Sequence, residues 1–314
     1  MPAISATAPG KIILFGEHAV VYGRPAIAVP VHQVQARVMI QAEPRNPSGC
    51  IRILAQAVNL DVWLADLPRE DPLVSAVRGT LTALGIEIAP ACTIRISSSI
   101  PVAAGLGSGA AVSVATIRAL STFLGQAFTD EQVCSLAYEV EKIHHGTPSG
   151  IDNTVITYAR PVYFVRGQPI EVFQVARPFT IVIGDTGIPS PTAQSVGDLR
   201  RRWQVDPTTY DTLFDAAGLI AQAARLAIER GTPEELGPLM DQNHALLQEM
   251  GVSSLELERL VAAARLAGAV GAKLSGGGQG GNMIALATPE SADRITEGLM
   301  AAGAVRTIVT EVRN

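Results

Sequence analysis

Pro101-Val102-Ala103-Ala104-Gly105-Leu106-Gly107-Ser108-Gly109 leads into an alanine- and leucine-rich stretch, 110–124, that Gly125 stops. The order reads as strand, glycine loop and helix. Glycines let the backbone turn sharply and approach a ligand, so that successive N–H groups can face phosphate oxygens. The helix behind them adds unpaired N–H groups and the positive end of its dipole. Ser108 ends the loop and offers a hydroxyl to a phosphate or a magnesium ion. The loop lacks the Gly-Lys-Ser/Thr of a P-loop and does not follow the spacing of the dinucleotide fingerprint. Taken alone, it is equally a phosphate cradle or a tight glycine turn without a ligand.

Outward from the loop, 33–41 and 92–99 are short, partly β-branched and partly alternating, as strands are, with an N-P-S-G turn at 46–49 between them. A helix is predicted from Thr129, which has capping-box spacing to Gln132 and acids at 130 and 131. Val133, Leu136, Ala137, Val140 and His144 share its apolar face, and Pro148 requires it to end near His145-Gly146. The segment 148–153 (PSGIDN) then reads as a loop. Glu141 lies where a helix end is already negative, a poor place for an acid unless a cation joins it. Magnesium commonly takes one or two carboxylates plus phosphate oxygens, so Glu141 is either a metal ligand or a solvated surface acid. Asp152 is a functional acid or an Asx-turn former.

Beyond residue 178 the pattern changes. A strand at 179–184 precedes a stretch with Pro189 and Pro191; helices come next at 210–230, from Thr232-Pro233 to Gly251, and from Ser253 or Ser254 to Gly268. The run KLSGGGQGG at 273–281, a strand at 282–287, a last helix and a strand at 306–312 complete the chain. The expected organisation is an α+β protein of two domains, 1–178 and 179–314.

Bulk properties narrow the function. The chain has 314 residues, of which 47% are apolar, enough for a sizeable core. A net charge of −5 gives no general attraction to nucleic acid or to an anionic membrane, so neither is an expected partner. The longest apolar run near the start, 12–15, is too short for a signal core or a spanning helix. Cysteines 50, 92 and 134 have no metal-like spacing and read as reduced thiols of a cytoplasmic protein, two of them buried. There are only three lysines, at 11, 142 and 273, against 21 arginines, and each lies in or beside a motif. A compact ammonium suits a shared phosphate and hydroxyl site, although Lys142 also fits a helix surface.

Three stretches in this order, PGKIILFGEHAVVYG at 9–23, PVAAGLGSGAAVSV at 101–114 and KLSGGGQGGNMIAL at 273–286, resemble the superfamily of galactokinase, homoserine kinase, mevalonate kinase and phosphomevalonate kinase. Within it, GEHAVVYG at 16–23 and HHGTPSGIDNTV at 144–155 are most similar to the mevalonate kinases. The resemblance implies an amino-terminal α/β domain and a ferredoxin-like carboxy-terminal domain, the two-domain GHMP kinase fold. It implies ATP-dependent phosphorylation of mevalonate, with Mg²⁺ as cofactor, in a homodimer; the alternatives are a related kinase acting on phosphomevalonate or another small alcohol, or a catalytically inactive ligand-binding member. By the same resemblance, Pro101, Ala104, Gly105, Leu106, Gly107, Ser108 and Gly109 cradle the triphosphate. Ser108 and Glu141 hold the magnesium, Asp152 is the catalytic base, and Lys11 activates the attacking hydroxyl. Glu17, His18 and Thr192 lie near the mevalonate. The sequence departs from the family at Gly109, where a second serine is usual, at Gln279, a glycine-type position, and in 185–192, which contains no basic residue.

Overall fold

The computed structural model describes residues 3–101, 104–145, 148–169, 171–190 and 192–314, excluding the side chains of residues 144, 145, 192 and 193. The chain forms two compact units that interleave in sequence. One comprises Met1–Gly10, Val34–Pro101 and Gly107–Ala159; the other comprises Lys11–Gln33, Val102–Leu106 and Arg160–Asn314. Position 178/179 falls inside the second unit. Strands β1 (Ile4–Phe15) and β2 (Ala26–Ala42) each contribute to both.

In the first unit, the later half of β2 lies antiparallel to β5 (Cys92–Ser98), pairing Val38 with Ile96 and Ile40 with Ile94. Strand β3 (Ile51–Ala55) runs parallel to β5, and β4 (Leu60–Trp63) lies antiparallel to β3 at the edge. From 34 to 40 the even-numbered residues of β2 are buried, while Gln35, Arg37 and Met39 are not, so the two-residue period of a half-buried strand sets the inward face. The helices are α1 (Pro72–Ala83), α2 (Ser108–Phe123), α3 (Asp130–His145) and α4 (Ile151–Tyr158). Helix α2 is buried on most sides, through Ala111, Val114, Ile117 and Leu120, and packs against the other three. Its alanines let those neighbours approach closely.

The capping box predicted for α3 is present: Thr129 N–H donates to Gln132 Oε1 at 3.0 Å, and Gln132 N–H to Thr129 Oγ1 at 3.3 Å. Two expectations need correction. Residues 151–153 are the first turn of α4 and not a loop, because Gly150, at φ 92°, reverses the chain into a new helix. Helix α1 had no counterpart in the sequence reading, although Asp71 caps it by accepting Leu73 N–H at 2.8 Å and Pro72 occupies its first position.

The second unit contains a four-stranded antiparallel sheet built from β8 (Phe179–Asp185), β9 (Gly271–Ser275), β10 (Asn282–Ala287) and β11 (Arg306–Val312). Its order is β11-β8-β10-β9, the ferredoxin-like arrangement of the fourth, first, third and second strands. Four helices fill the first crossover: α5 (Thr192–Val205), α6 (Pro207–Arg230), α7 (Leu236–Glu249) and α8 (Leu255–Leu266). Helix α9 (Ala292–Ala301) fills the second. Val182, Phe214, Leu247, Leu257, Leu274, Met283 and Leu299 belong to one core. The early half of β2 pairs with β6 (Val162–Phe164), which pairs in turn with β7 (Glu171–Val172), in the same unit. Helix α5 escaped the sequence reading because only Ser195 and Leu199 are buried among its described side chains, too few to mark a helical period.

Cys92 and Cys134 are buried and Cys50 is half-buried; all three are free thiols. Among the described residues, no helix is long and apolar enough to cross a membrane.

Candidate active site

In the first unit the candidate residues sit at helix ends. Gly107, at φ 75°, is the N-cap of α2 and places Ser108 as the first helical residue, beside backbone N–H groups that have no carbonyl partner within the helix. Glu141, in the last turn of α3, is 4% exposed, so the surface-acid reading is excluded. A carboxylate and a hydroxyl are both hard oxygen donors and fit a magnesium ion that is completed by phosphate oxygens and water. Asp152 occupies the first turn of α4, where the helix dipole favours an acid.

Helix α4 is firmly tied. Asn153 Nδ2 donates to the Cys134 carbonyl at 3.2 Å and to Cys134 Sγ at 3.1 Å, pinning α4 to α3. Thr154 Oγ1 donates to the Gly150 carbonyl at 2.7 Å. Arg118 of α2 donates to the Thr157 carbonyl and forms an ion pair with Asp130 at 2.6 Å.

In the second unit, the first and third motifs meet. Lys11 N–H donates to the Leu106 carbonyl at 3.0 Å, and the Lys11 side chain is buried. Asn282 Nδ2 donates to the Ala104 carbonyl, so the residue after the third glycine motif holds the first part of the glycine loop. Ser275 Oγ donates to the Ile13 carbonyl at 2.7 Å. Lys273, fully buried, forms an ion pair with Glu17 and donates to the Leu274 carbonyl at 2.6 Å. Burial pushes the Glu17 carboxyl up and the Lys273 ammonium down, while their mutual attraction works against both shifts. By contrast Lys142 is an exposed helix residue paired with Glu139.

His18 comes next in a left-handed backbone conformation, φ 63°, and opens the short 3-10 turn Ala19–Tyr22. Its Nε2 lies 3.1 Å from the Gly277 carbonyl, a contact that requires an N–H there and leaves Nδ1 as a bare acceptor. Burial, reinforced by the Arg202 and Lys273 cations, lowers its pKa to about 4 against the Gly277 bond, so the ring is neutral at pH 7. Both His18 Nδ1 and Glu17 Oε2 are buried and have no hydrogen-bond partner. Two buried acceptors side by side in sequence fit a ligand that donates, such as one carrying hydroxyl groups.

The third motif explains one sequence departure. Gln279 adopts φ 57°, the left-handed region for which glycine is the usual residue, and its side-chain amide donates to the Gly251 and Ser253 carbonyls at 3.3 and 3.0 Å. Those bonds offset the backbone strain. At Gly278, φ 70°, an added Cβ would lie 1.9 Å from the Val252 carbonyl oxygen, so only glycine fits.

Thr192 opens α5, and its side chain lies outside the described residues. Pro101 is half-buried ahead of the loop and Gly109 is exposed in the first turn of α2. Asn282, Ser195 and Arg202 were absent from the sequence-derived set. The run Arg200-Arg201-Arg202 was the available signal for the last of these.

The comparisons with known proteins agree with this architecture. The model of the GHMP kinases N terminal domain matches residues 73–160, and that of the GHMP kinases C terminal domain matches 224–304. The chain is 38% identical to the mevalonate kinase of Thermococcus sibiricus, with 98% of this chain and 96% of that one covered. It is 39% identical to the mevalonate kinase of Pyrococcus abyssi over 90% of this chain and 88% of that one. A crystal structure of the L. major mevalonate kinase in complex with R-mevalonate superposes with a TM-score of 0.84 and 32% identity, covering 98% of this chain and 95% of that one. With both domain models matched in order and likeness running along nearly its whole length, the chain belongs to the GHMP kinases, in the mevalonate kinase family.

Proposed function

We propose that the protein transfers the γ-phosphoryl group of ATP to the C5 hydroxyl of mevalonate, giving 5-phosphomevalonate. The observation that carries this reading is the full-length likeness to mevalonate kinases, one of them crystallised with R-mevalonate, together with the buried acceptors of Glu17 and His18. In the first unit, the amino end of α2 offers its N–H groups to the triphosphate. Asp152 accepts the C5 hydroxyl proton as the oxygen attacks phosphorus in line. In the second unit, the Lys11 ammonium stabilises negative charge developing in the transition state. Glu17 and His18 orient mevalonate through its hydroxyl groups, and Thr192 contributes to the same recognition. Ser108 and Glu141 would hold a magnesium ion, which neutralises phosphate charge when bound. Phosphoryl transfer of this kind rests on positioning and electrostatics more than on covalent catalysis.

ADP release measured with mevalonate, phosphomevalonate, homoserine and galactose tests the substrate. Mevalonate is expected to give the highest kcat/KM; a higher value for another member of the panel overturns the assignment. A homodimeric, cytoplasmic enzyme is part of the same proposal, and light scattering of the purified protein tests the dimer.

A further inference from the structure

On α5, Ser195, Asp198 and Arg202 are spaced i, i+3 and i+7, and so share one helix face. With Arg201, Gly251 and Gln279 they line a cavity of about 370 Å³ in the second unit. Ser195 connects this cavity directly to His18: its hydroxyl donates at 2.6 Å to the same Gly277 carbonyl that His18 Nε2 meets at 3.1 Å. Arg202 is also close enough to His18 for its charge to oppose protonation of the ring.

The cations nearby are not equivalent. Lys273 is consumed by Glu17, Arg201 by Asp198, and Arg24 by Asp211 and Asp215. Among the described residues, Arg202 has no carboxylate partner. Its two terminal nitrogens reach only the Gly251 carbonyl, both at 3.4 Å, and its Nε is buried without a hydrogen bond. A guanidinium in this state is under-satisfied, because its five donors form a planar fork suited to a carboxylate. Gly251 makes space for it: at φ 69°, an added Cβ there would lie 2.4 Å from Arg202 Nη1. The segment 185–199 contains no basic residue.

We infer that Arg202 is the specificity-determining residue that binds the carboxylate of the substrate, in the cavity it shares with Ser195 and Gln279. The inference rests on the proposed function, since it takes mevalonate as the substrate. The placement divides recognition by chemistry. Glu17 Oε2 and His18 Nδ1 can only accept, and suit the hydroxyl groups; Arg202 can only donate, and suits the carboxylate. A small neutral alcohol would leave the guanidinium without an anionic partner and the buried Nε without a hydrogen bond.

The test compares the wild type, Arg202→Gln and Arg202→Lys on mevalonate and on its carboxylate-free counterpart, 3-methylpentane-1,3,5-triol. A charge-assisted hydrogen bond corresponds to roughly a ten- to hundredfold effect. Arg202→Gln is therefore expected to raise the KM for mevalonate by that factor, leaving the KM for ATP and the melting temperature nearly unchanged. Its kcat/KM for the triol should equal that of the wild type, and Arg202→Lys should recover part of the loss on mevalonate only. Arg200→Gln, which removes an exposed charge from the same helix outside the cavity lining, should change the mevalonate KM by less than about twofold, as for an exposed surface charge. An unchanged mevalonate KM in Arg202→Gln, or an equal loss on mevalonate and the triol, overturns the inference while leaving the proposed function standing. A wild type inert towards mevalonate but active on another acceptor overturns both.

Discussion

Asp152 and His18 show how backbone placement sets what a side chain can do. Asp152 stands in the first turn of a helix, so replacing it by asparagine keeps the local backbone and an acceptor oxygen and loses the charge, whose interaction with the dipole is worth about 0.3–1 kcal/mol. An amide cannot serve as a base at neutral pH, so Asp152→Asn should lower kcat by roughly 10²–10⁴. Circular dichroism and nucleotide titration should be close to wild type; a near-native kcat would remove Asp152 from the mechanism. His18 makes a different prediction because its folded-state pKa is depressed, from 6.5 to about 4. Between those values the unfolded chain binds a proton that the folded protein refuses. Its stabilising contribution is therefore complete above pH 6.5 and is lost as pH falls towards 4, amounting to about 3 kcal/mol at 1.36 kcal/mol per unit. Asparagine tolerates the left-handed backbone at this position, so His18→Asn should fold. Urea unfolding at pH 7 and pH 4.5 should show a smaller acid-induced loss in His18→Asn than in the wild type. Parallel curves would mean that position 18 does not titrate across unfolding.

At the level of elements, what the sequence disclosed tracked the strength of each local signal. The glycine loop with its helix, the capping box of α3 and the strands at 282–287 and 306–312 were legible because caps, glycines and alternation are local features. Helix α5 was hidden because its exposed polar surface obscures the few buried positions. Residues 151–153 misled because Pro148, Ser149 and Gly150 signal a break in the chain but not the type of element beyond it, and here α4 begins at once. Tertiary contacts could not be read at all. The Lys273–Glu17 pair joins residues 256 positions apart, and only the scarcity of lysine hinted at it. The same holds for α7 and β9, which approach through paired glycines: a Cβ on Gly271 would lie 2.1 Å from the Gly237 carbonyl oxygen. Gly271→Ala therefore forces backbone apart and should cost roughly 2–4 kcal/mol, in the range of severe overpacking. Thr129→Ala removes only a surface cap and should cost about 1 kcal/mol. Chemical denaturation of both variants should preserve this ranking; a mild Gly271→Ala would show that the helix can shift without penalty.

The molecule as a whole carries a net charge of −5, so it binds a triphosphate against its own average field. The attraction must therefore be local, and the buried acid Glu141 sharpens the requirement, since in its proposed role it would add negative charge beside the phosphates. A metal ion at the proposed Ser108–Glu141 site would resolve the conflict by pairing with both. Ligand binding to the folded state alone stabilises it by about 2.7 kcal/mol at a hundred times the dissociation constant, which makes melting temperature a readout of binding separate from turnover. In the wild type, a non-hydrolysable ATP analogue with magnesium should raise the melting temperature well above the value reached with the analogue and a chelator. Glu141→Gln keeps the shape of the side chain and loses its charge, so the gap between the two conditions should narrow, and the magnesium concentration for half-maximal rate should rise. The analogue without metal should bind the variant at least as well as the wild type, because a negative charge beside the phosphates has been removed. That opposite response separates a metal ligand from a residue that merely supports α3, whose loss would weaken binding in both conditions alike. An unchanged magnesium dependence in melting and in rate would withdraw Glu141 from the metal site.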